Sequence, residues 1–426
     1  MIKSFYDVTA FNIIGDGVTD NTKAFAELTK KVGVEGGGTI YVPVGNYITG
    51  SICLESNTTL FISPGATISG SEKKENYLSL KDKNLGDYGE NFTLGLVGAV
   101  NAENITITGG GTIDGRGYNW WHDPENQNRP RAIQPIASKN VTIRDIKIVN
   151  SAMWTVHPLC CNNVTVDNIT IKNPSDSPNT DGINPESCQN VHISNCYVDV
   201  GDDCVTIKAG TEEESFKKSM PCENITITNC TMLNGHGGVV VGSEMSGGVK
   251  NVVVNNCVFN GTDRGIRIKT RRLRGGALED MMFSNIIMNN VWVPVCVNEY
   301  YFCNCDRSDE FLFSEDKKPV TDKTPVIKNI NISNISAKNA CVSAVYMKGL
   351  PEKPISGITL SNVSIDMKEN EILGTQIPIL APNIPMTKAE GIYIENAKDC
   401  VLNNVVVTNQ NGKDITLKNC ENIEIK

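Results

Sequence analysis

Asn163-Val164-Thr165-Val166-Asp167-Asn168-Ile169 and Asn190-Val191-His192-Ile193-Ser194-Asn195-Cys196 are two copies of one phrase. Further copies begin at Asn104, Asn140, Asn224, Asn251, Asp280, Asn329, Gly357 and Asp399, with a truncated one at Asn422. Positions one and three after each start are nearly always apolar, as in Ile105/Ile107, Val141/Ile143, Ile225/Ile227 and Val252/Val254. That is strand alternation with one face turned inward. Position five, from the second copy onward, is Asp145, Asn168, Asn195, Asn229, Asn256, Asn285, Asn334, Asn362 and Asn404. An Asn repeated at one turn can bond its amide to the layers above and below, which predicts a structural ladder. Starts lie 23 to 49 residues apart, and similar strands joined by loops of variable length describe a parallel β-helix. The fold class is therefore all-β, one solenoid domain over residues 1–426, with regular coils from 104 onward.

Residues 1–70 read as the cap and first coils. Asp20-Asn21 is a helix start, and Phe25, Leu28 and Val32 recur at helical spacing before Gly36-Gly37-Gly38. A short helix there covers the open end of a solenoid, which otherwise exposes strand edges. Strands follow at Thr39–Val42, Tyr47–Ile52 and Thr58–Ile62. The largest inserts, expected to wall a groove, fall at 72–97, Tyr118–Arg131, Asn304–Thr324 and Asn370–Lys388. Position six of the phrase carries Cys196, Cys230 and Cys257 in an otherwise aliphatic column, so these read as small core residues; no Cys/His pairing at zinc spacing accompanies them or Cys303 and Cys305.

The net charge of −9 over 426 residues argues against nucleic acid and an anionic membrane as partners, while leaving room for an acidic substrate wherever cations concentrate. The first residues lack the apolar run of a secretory signal, and 15 dispersed Cys suit reduced thiols. The expectation is a cytoplasmic chain, or a secreted one if a leader has been removed. Oligomeric state is not legible.

Chemistry gathers between Asn179 and Arg274. Asp202 and His236 each lie twelve residues after a phrase start and follow a Gly, so they share a column; Asp181 and Asp203 lie beside it in the spacing. Crowded carboxylates are costly because like charges raise each other's pKa, and hydrolysis of a glycosidic bond uses them as one protonated acid and one ionised partner. A hard cation is the alternative use, disfavoured here by His236 and the nearby cations. Six cations occupy the eleven residues from Arg264 to Arg274. Arg267 and Lys269 alternate with Ile266 and Ile268, so both leave the strand on the face opposite the core, suited to a carboxylated sugar. For Arg271, Arg272 and Arg274 a solvated face is an equal alternative. Arg131 is a candidate carboxylate ligand, His157 could line a neighbouring sugar subsite, and Trp120-Trp121 reads as packing.

The ordered set Asn179-Thr180-Asp181, Asp202-Asp203, Gly235-His236-Gly237 and Arg267-Ile268-Lys269 resembles the polygalacturonase family of glycoside hydrolases, which fold as right-handed, pectin-lyase-like parallel β-helices. The resemblance runs from about Phe11 to the C-terminus and includes bacterial exo-acting members. It implies that Asp202 is the general acid, that Asp181 and Asp203 hold the attacking water, that the anomeric centre inverts, and that His236 tunes the acid. It also implies carboxylate binding by Arg267 and Lys269, a Tyr that is either Tyr300 or Tyr301, and no cofactor or metal; Asn179, from the first motif, and Arg271 are further substrate-binding candidates. The expected substrate is a galacturonan polysaccharide or oligosaccharide cut from its ends. Endo action, rhamnogalacturonan hydrolysis, a polysaccharide lyase and a non-catalytic glycan-binding β-helix are the alternatives.

Overall fold

The computed structural model describes residues 4–81, 92–122, 128–211, 220–303, 305–368, 379–381 and 389–426. The expected inserts at 72–97, Tyr118–Arg131, Asn304–Thr324 and Asn370–Lys388 lie partly outside the described residues. The chain packs as two compact units, one running through Asp202 and the other beginning at Asp203.

In the first unit the helix Thr22–Val34 buries Phe25, Leu28 and Val32 and packs on the strand Ile52–Leu54. Asp20 starts it by accepting the Thr22 N–H and hydroxyl, while the Asn21 side chain instead ties the backbone of Ile14, Thr19 and Ile48. Three parallel ladders follow. One joins Phe5–Asp7, Gly38–Val42, Thr58–Ile62, Glu103–Thr108, Lys139–Arg144, Asn162–Asp167 and Gln189–Ser194. A second runs from Asp16–Asp20 through Gly45–Thr49, Ala66–Gly70, Thr112–Asp114, Lys147–Val149 and Thr170–Lys172 to Tyr197–Val200. The third joins Ile52–Leu54, Val97–Val100 and Ile133–Ile136, and bridges carry it to Val156 and Ile183. The strand expected at Tyr47–Ile52 is therefore two strands on different faces. The chain turns at Gly50, where a Cβ would stand 1.9 Å from the Asn76 carbonyl oxygen.

In the second unit the phrase becomes one long strand per coil: Val249–Asn260, Ala277–Asn289, Val326–Ala340, Ile355–Met367 and Ala397–Thr408, paired in parallel. A seven-stranded parallel sheet of Val205–Ile207, Val239–Val241, Arg264–Lys269, Val293–Asn298, Ser343–Lys348, Glu390–Glu395 and Ile415–Lys418 forms another face.

The position-five ladder forms in the second unit and, in the first, as Asn168 donating to Asp145; the phrase starts build a ladder of their own in the first unit. Asn334 donates to Asn285, Asn362 to Asn334 and Asn404 to Asn362; Asn140 donates to Asn104 and Asn163 to Asn140. Each of these Asn has φ between 51° and 61°, so the type is chosen for the left-handed backbone as well as the amide. Cys196, Cys230 and Cys257 are buried, and each thiol donates to the backbone carbonyl two residues earlier. Among the described residues, no helix is long and apolar enough to cross a membrane.

Candidate active site

In the first unit a short loop delivers Asp181. Asn173 braces it, accepting the Ser151 N–H and donating to Thr155 Oγ1 and the Thr180 carbonyl. Thr180 is buried and its hydroxyl accepts the Gly201 N–H, so the Asp181 loop fixes the residue before Asp202. Gly201 is required by this approach, since a Cβ there would lie 2.4 Å from the Ser177 carbonyl oxygen. Asp181 is buried and accepts Asn184 Nδ2 at 3.0 Å; Asp202 is half-buried, and the two carboxylates present oxygens within 4.8 Å of each other. Asn179 is exposed and reaches Asp202 Oδ2 at 3.4 Å, and its Oδ1 accepts Arg129 Nη2 at 2.6 Å. Arg129 also donates to the carbonyls of Ala152 and Pro178, and feels the charges of Asp181 and Asp202. Arg129 and Asn184 had no sequence signal, because neither belongs to a repeated position.

In the second unit Asp203 is buried with both oxygens engaged, Oδ1 by Arg267 at 3.1 Å and Oδ2 by Lys269 at 2.6 Å. Burial pushes the Asp203 pKa up, but the charges of Lys269 and then Arg267 outweigh it and hold the group well below the usual carboxylate range. A second pair, the buried Lys208 with the partly buried Glu244 at 2.7 Å, lies close enough for Lys208 to act on Asp203 and for Lys269 to act on Glu244. Desolvation pushes Glu244 up, yet it is lowered to about 2, mainly by Lys208. His236 is half exposed, and its Nδ1 meets Asp263 Oδ2 at 2.7 Å. The carboxylate accepts, so Nδ1 carries the proton. Arg264 holds this arrangement by donating to Asp263 and to the His236 carbonyl.

Arg267 and Lys269 leave their strand opposite the buried Ile266 and Ile268, yet are themselves only 3% and 5% exposed. Tyr301 lies beneath both, its ring centre 5.5 Å from the Arg267 guanidinium and 5.1 Å from Lys269 Nζ; Tyr300 instead packs on Arg272 and Lys348. Of the two tyrosines, Tyr301 therefore joins the cation pair.

One open alternative is decided and one expectation is corrected. The run after Lys269 is not a solvated face: Arg271, Arg272 and Arg274 are buried, and Arg272 forms a two-pronged pair with Glu352 at 2.6 and 2.9 Å. His157 does not line a sugar subsite. It is fully buried, with Nε2 on Glu186 at 2.7 Å and Nδ1 on Gln134 at 3.3 Å, so both ring nitrogens are spent inside the coil. Trp120 packs edge-on against Tyr77, and Trp121 donates to the Ser151 carbonyl.

A hard cation would need several free carboxylate oxygens. Both Asp203 oxygens are paired with Arg267 and Lys269, whose positive charges compete with a cation there.

Residues 39–383 match the glycosyl hydrolases family 28. The chain belongs to that family. A probable polygalacturonase of Vitis vinifera is 35% identical to this family 28 hydrolase over 370 residues, 84% of this chain and 73% of that protein. An endo-polygalacturonase of Pectobacterium parmentieri is 34% identical over 276 residues, 60% of this chain and 65% of that protein. The crystal structure of an exopolygalacturonase from Thermotoga maritima is 29% identical with a TM-score of 0.73, covering 85% of this chain and 87% of that one. The coils of this family 28 hydrolase accordingly form a right-handed parallel β-helix.

Proposed function

We propose that this family 28 hydrolase cleaves α-1,4-linked galacturonic acid and removes galacturonate from chain ends. Asp202 protonates the leaving oxygen, Asp181 and Asp203 hold the attacking water, and His236, oriented by Asp263, tunes the acid. Arg267 and Lys269, with Tyr301 beneath them, bind a galacturonate carboxylate, and Arg271 and Asn179 support the bound chain. Asp203 fits its role because its paired cations hold its pKa well below the usual carboxylate range.

The observation that carries end-cleavage is the cover over the seven-stranded sheet beyond Arg267 and Lys269. Cys296/Asn298 and then Tyr346/Lys348 continue the two outward columns, and all four are less than 10% exposed. Asn298 and Phe302 bond the Leu380 carbonyl, Ile379 and Ala381 cluster with Cys296, Tyr300 and Tyr346, and Lys348 pairs with Glu315 at 2.6 Å. An endo-acting enzyme would need that face open to a continuing chain.

Inversion rests on the resemblance to the family. Retention through a covalent intermediate is the outcome that the assay must exclude. Proton NMR of the first-formed product separates the two, since inversion yields the β-anomer and retention the α-anomer. Asp202→Asn tests catalysis as such: turnover of oligogalacturonide should fall by about 10²–10⁴-fold with binding intact. Turnover equal to wild type would remove Asp202 from the reaction, and wild-type binding without turnover would favour a glycan-binding role.

A further inference from the structure

We infer that Arg131 binds a substrate carboxylate and so sets specificity for an acidic chain. The inference deepens the proposed function and rests on it. Arg131 is 4% exposed, and among the described residues no carboxylate, carbonyl or hydroxyl bonds its guanidinium; Nε is buried without a partner. Three other buried arginines each hold a carboxylate: Arg264 pairs with Asp263, Arg267 with Asp203 and Arg272 with Glu352. What Arg131 has instead is two rings, Phe92 and Trp154, each with its centre 5.4 Å from the guanidinium. Ring faces offset only part of what a desolvated cation loses, and they leave its planar fork of donors without an acceptor. A carboxylate supplies the missing charge and the matching two-pronged geometry.

Register places this cation in line with the catalytic carboxylate. Ile133, Val156 and Ile183 pair with one another in three successive coils, and Arg131, Trp154 and Asp181 each stand two residues before them. Backbone bonds hold the same alignment, with Ile133 donating to Thr155 and Thr155 to Asp181. Two strand spacings, roughly 10 Å, therefore separate the Arg131 backbone from that of Asp181. Arg129 fills the interval: it feels the charges of Arg131, Asp181 and Asp202 and bonds Asn179. A polyanion passing Asp181 on this side meets Arg129 and then the fork of Arg131. Trp154, half-buried, offers its indole in the coil between them.

The alternative is a purely structural stack in which Arg131 only fills space between the rings. The two readings differ in Arg131→Gln and Arg131→Lys. Steady-state kinetics on oligogalacturonides, with thermal unfolding of each variant alongside, should show KM raised about tenfold or more in Arg131→Gln. In the same variant kcat should stay within about threefold of wild type. Arg131→Lys keeps the charge and loses the fork, so its KM should lie between the two. It also covers the case in which Arg131→Gln fails to fold. Binding of the same oligomers to Asp202→Asn protein, with and without Arg131→Gln, should weaken in parallel, and methyl-esterified oligomers should be indifferent to the change. If wild type turns over and binds oligogalacturonides while folded Arg131→Gln and Arg131→Lys match it, the inference fails and the proposed function stands. Failure of wild type to hydrolyse or bind these oligomers overturns both.

Discussion

Arg272→Met should loosen the segment that covers the sheet beyond Arg267 and Lys269, and with it the restriction to chain ends. In the native protein the Arg272 guanidinium pairs with Glu352 and also donates to the carbonyls of Phe311, Leu312 and Ser314, at 3.3, 3.1 and 2.8 Å. Those carbonyls belong to the helix Glu310–Phe313 and its exit, so one buried cation ties the insert to the coil. Removing one partner of a buried pair costs about 3–5 kcal/mol, because the other charge is left desolvated. Replacing both, as Arg272→Met with Glu352→Met, should recover much of that loss, which identifies the stranded Glu352 charge as its source. If the loss is local, amide hydrogens of residues 310–313 should exchange about a hundredfold faster or more. The functional assay is the product profile on polygalacturonate. Mixed oligomers should appear beside monogalacturonate as the insert opens. Faster exchange with a product profile still confined to monogalacturonate would refute the claim that this cover restricts cleavage to ends. Unchanged exchange would refute the claim that Arg272 is its tether.

Two further expectations concern stability. Asn334→Ala removes two amide bonds and puts Ala at φ 54°, so it should cost about 2–3 kcal/mol, whereas Asn334→Gly keeps the backbone relaxed and should cost about 1 kcal/mol less; equal losses in urea unfolding would count against a left-handed backbone requirement. Glu299 is fully buried, with one oxygen on the Leu350 N–H and the other without a partner, and burial raises it to about 8. A raised carboxyl binds its proton more tightly when folded, so its stability contribution is complete below the unfolded pKa near 4.5 and is lost as pH rises through about 8. Glu299→Gln should therefore flatten the fall in stability between pH 5 and 8 and exceed wild type at the upper end, read by thermal unfolding across that range; parallel pH curves would refute the assignment.

The fold was legible because its signal is periodic. Alternating apolar residues behind a recurrent Asn located the strand in every coil, and the same count from Asn190 and Asn224 singled out Asp202 and His236. What the repeat did not index stayed hidden. A solvated face stayed an equal alternative for Arg271, Arg272 and Arg274 because charge usually is solvated, and the partner that buries Arg272 lies 80 residues on, at Glu352. His157 looked available because Gln134 and Glu186, which consume its ring nitrogens, sit on the adjacent coils. Tyr300 and Tyr301 could not be separated by sequence, since neighbouring residues leave the chain in different directions and only the position of the Arg267 and Lys269 side chains decides which one faces them. The left-handed backbone of the Asn positions was masked by their amide ladder, which alone accounts for the residue type.

The most direct measurement of the central claim is time-resolved chromatography of products from polygalacturonic acid and from defined oligogalacturonides, with EDTA present throughout. Monogalacturonate released from the first time point, with the polymer shortening slowly and no loss of rate in EDTA, is the expected result. Mixed oligomers with a rapid fall in viscosity, unsaturated products, or no product from either substrate would contradict it.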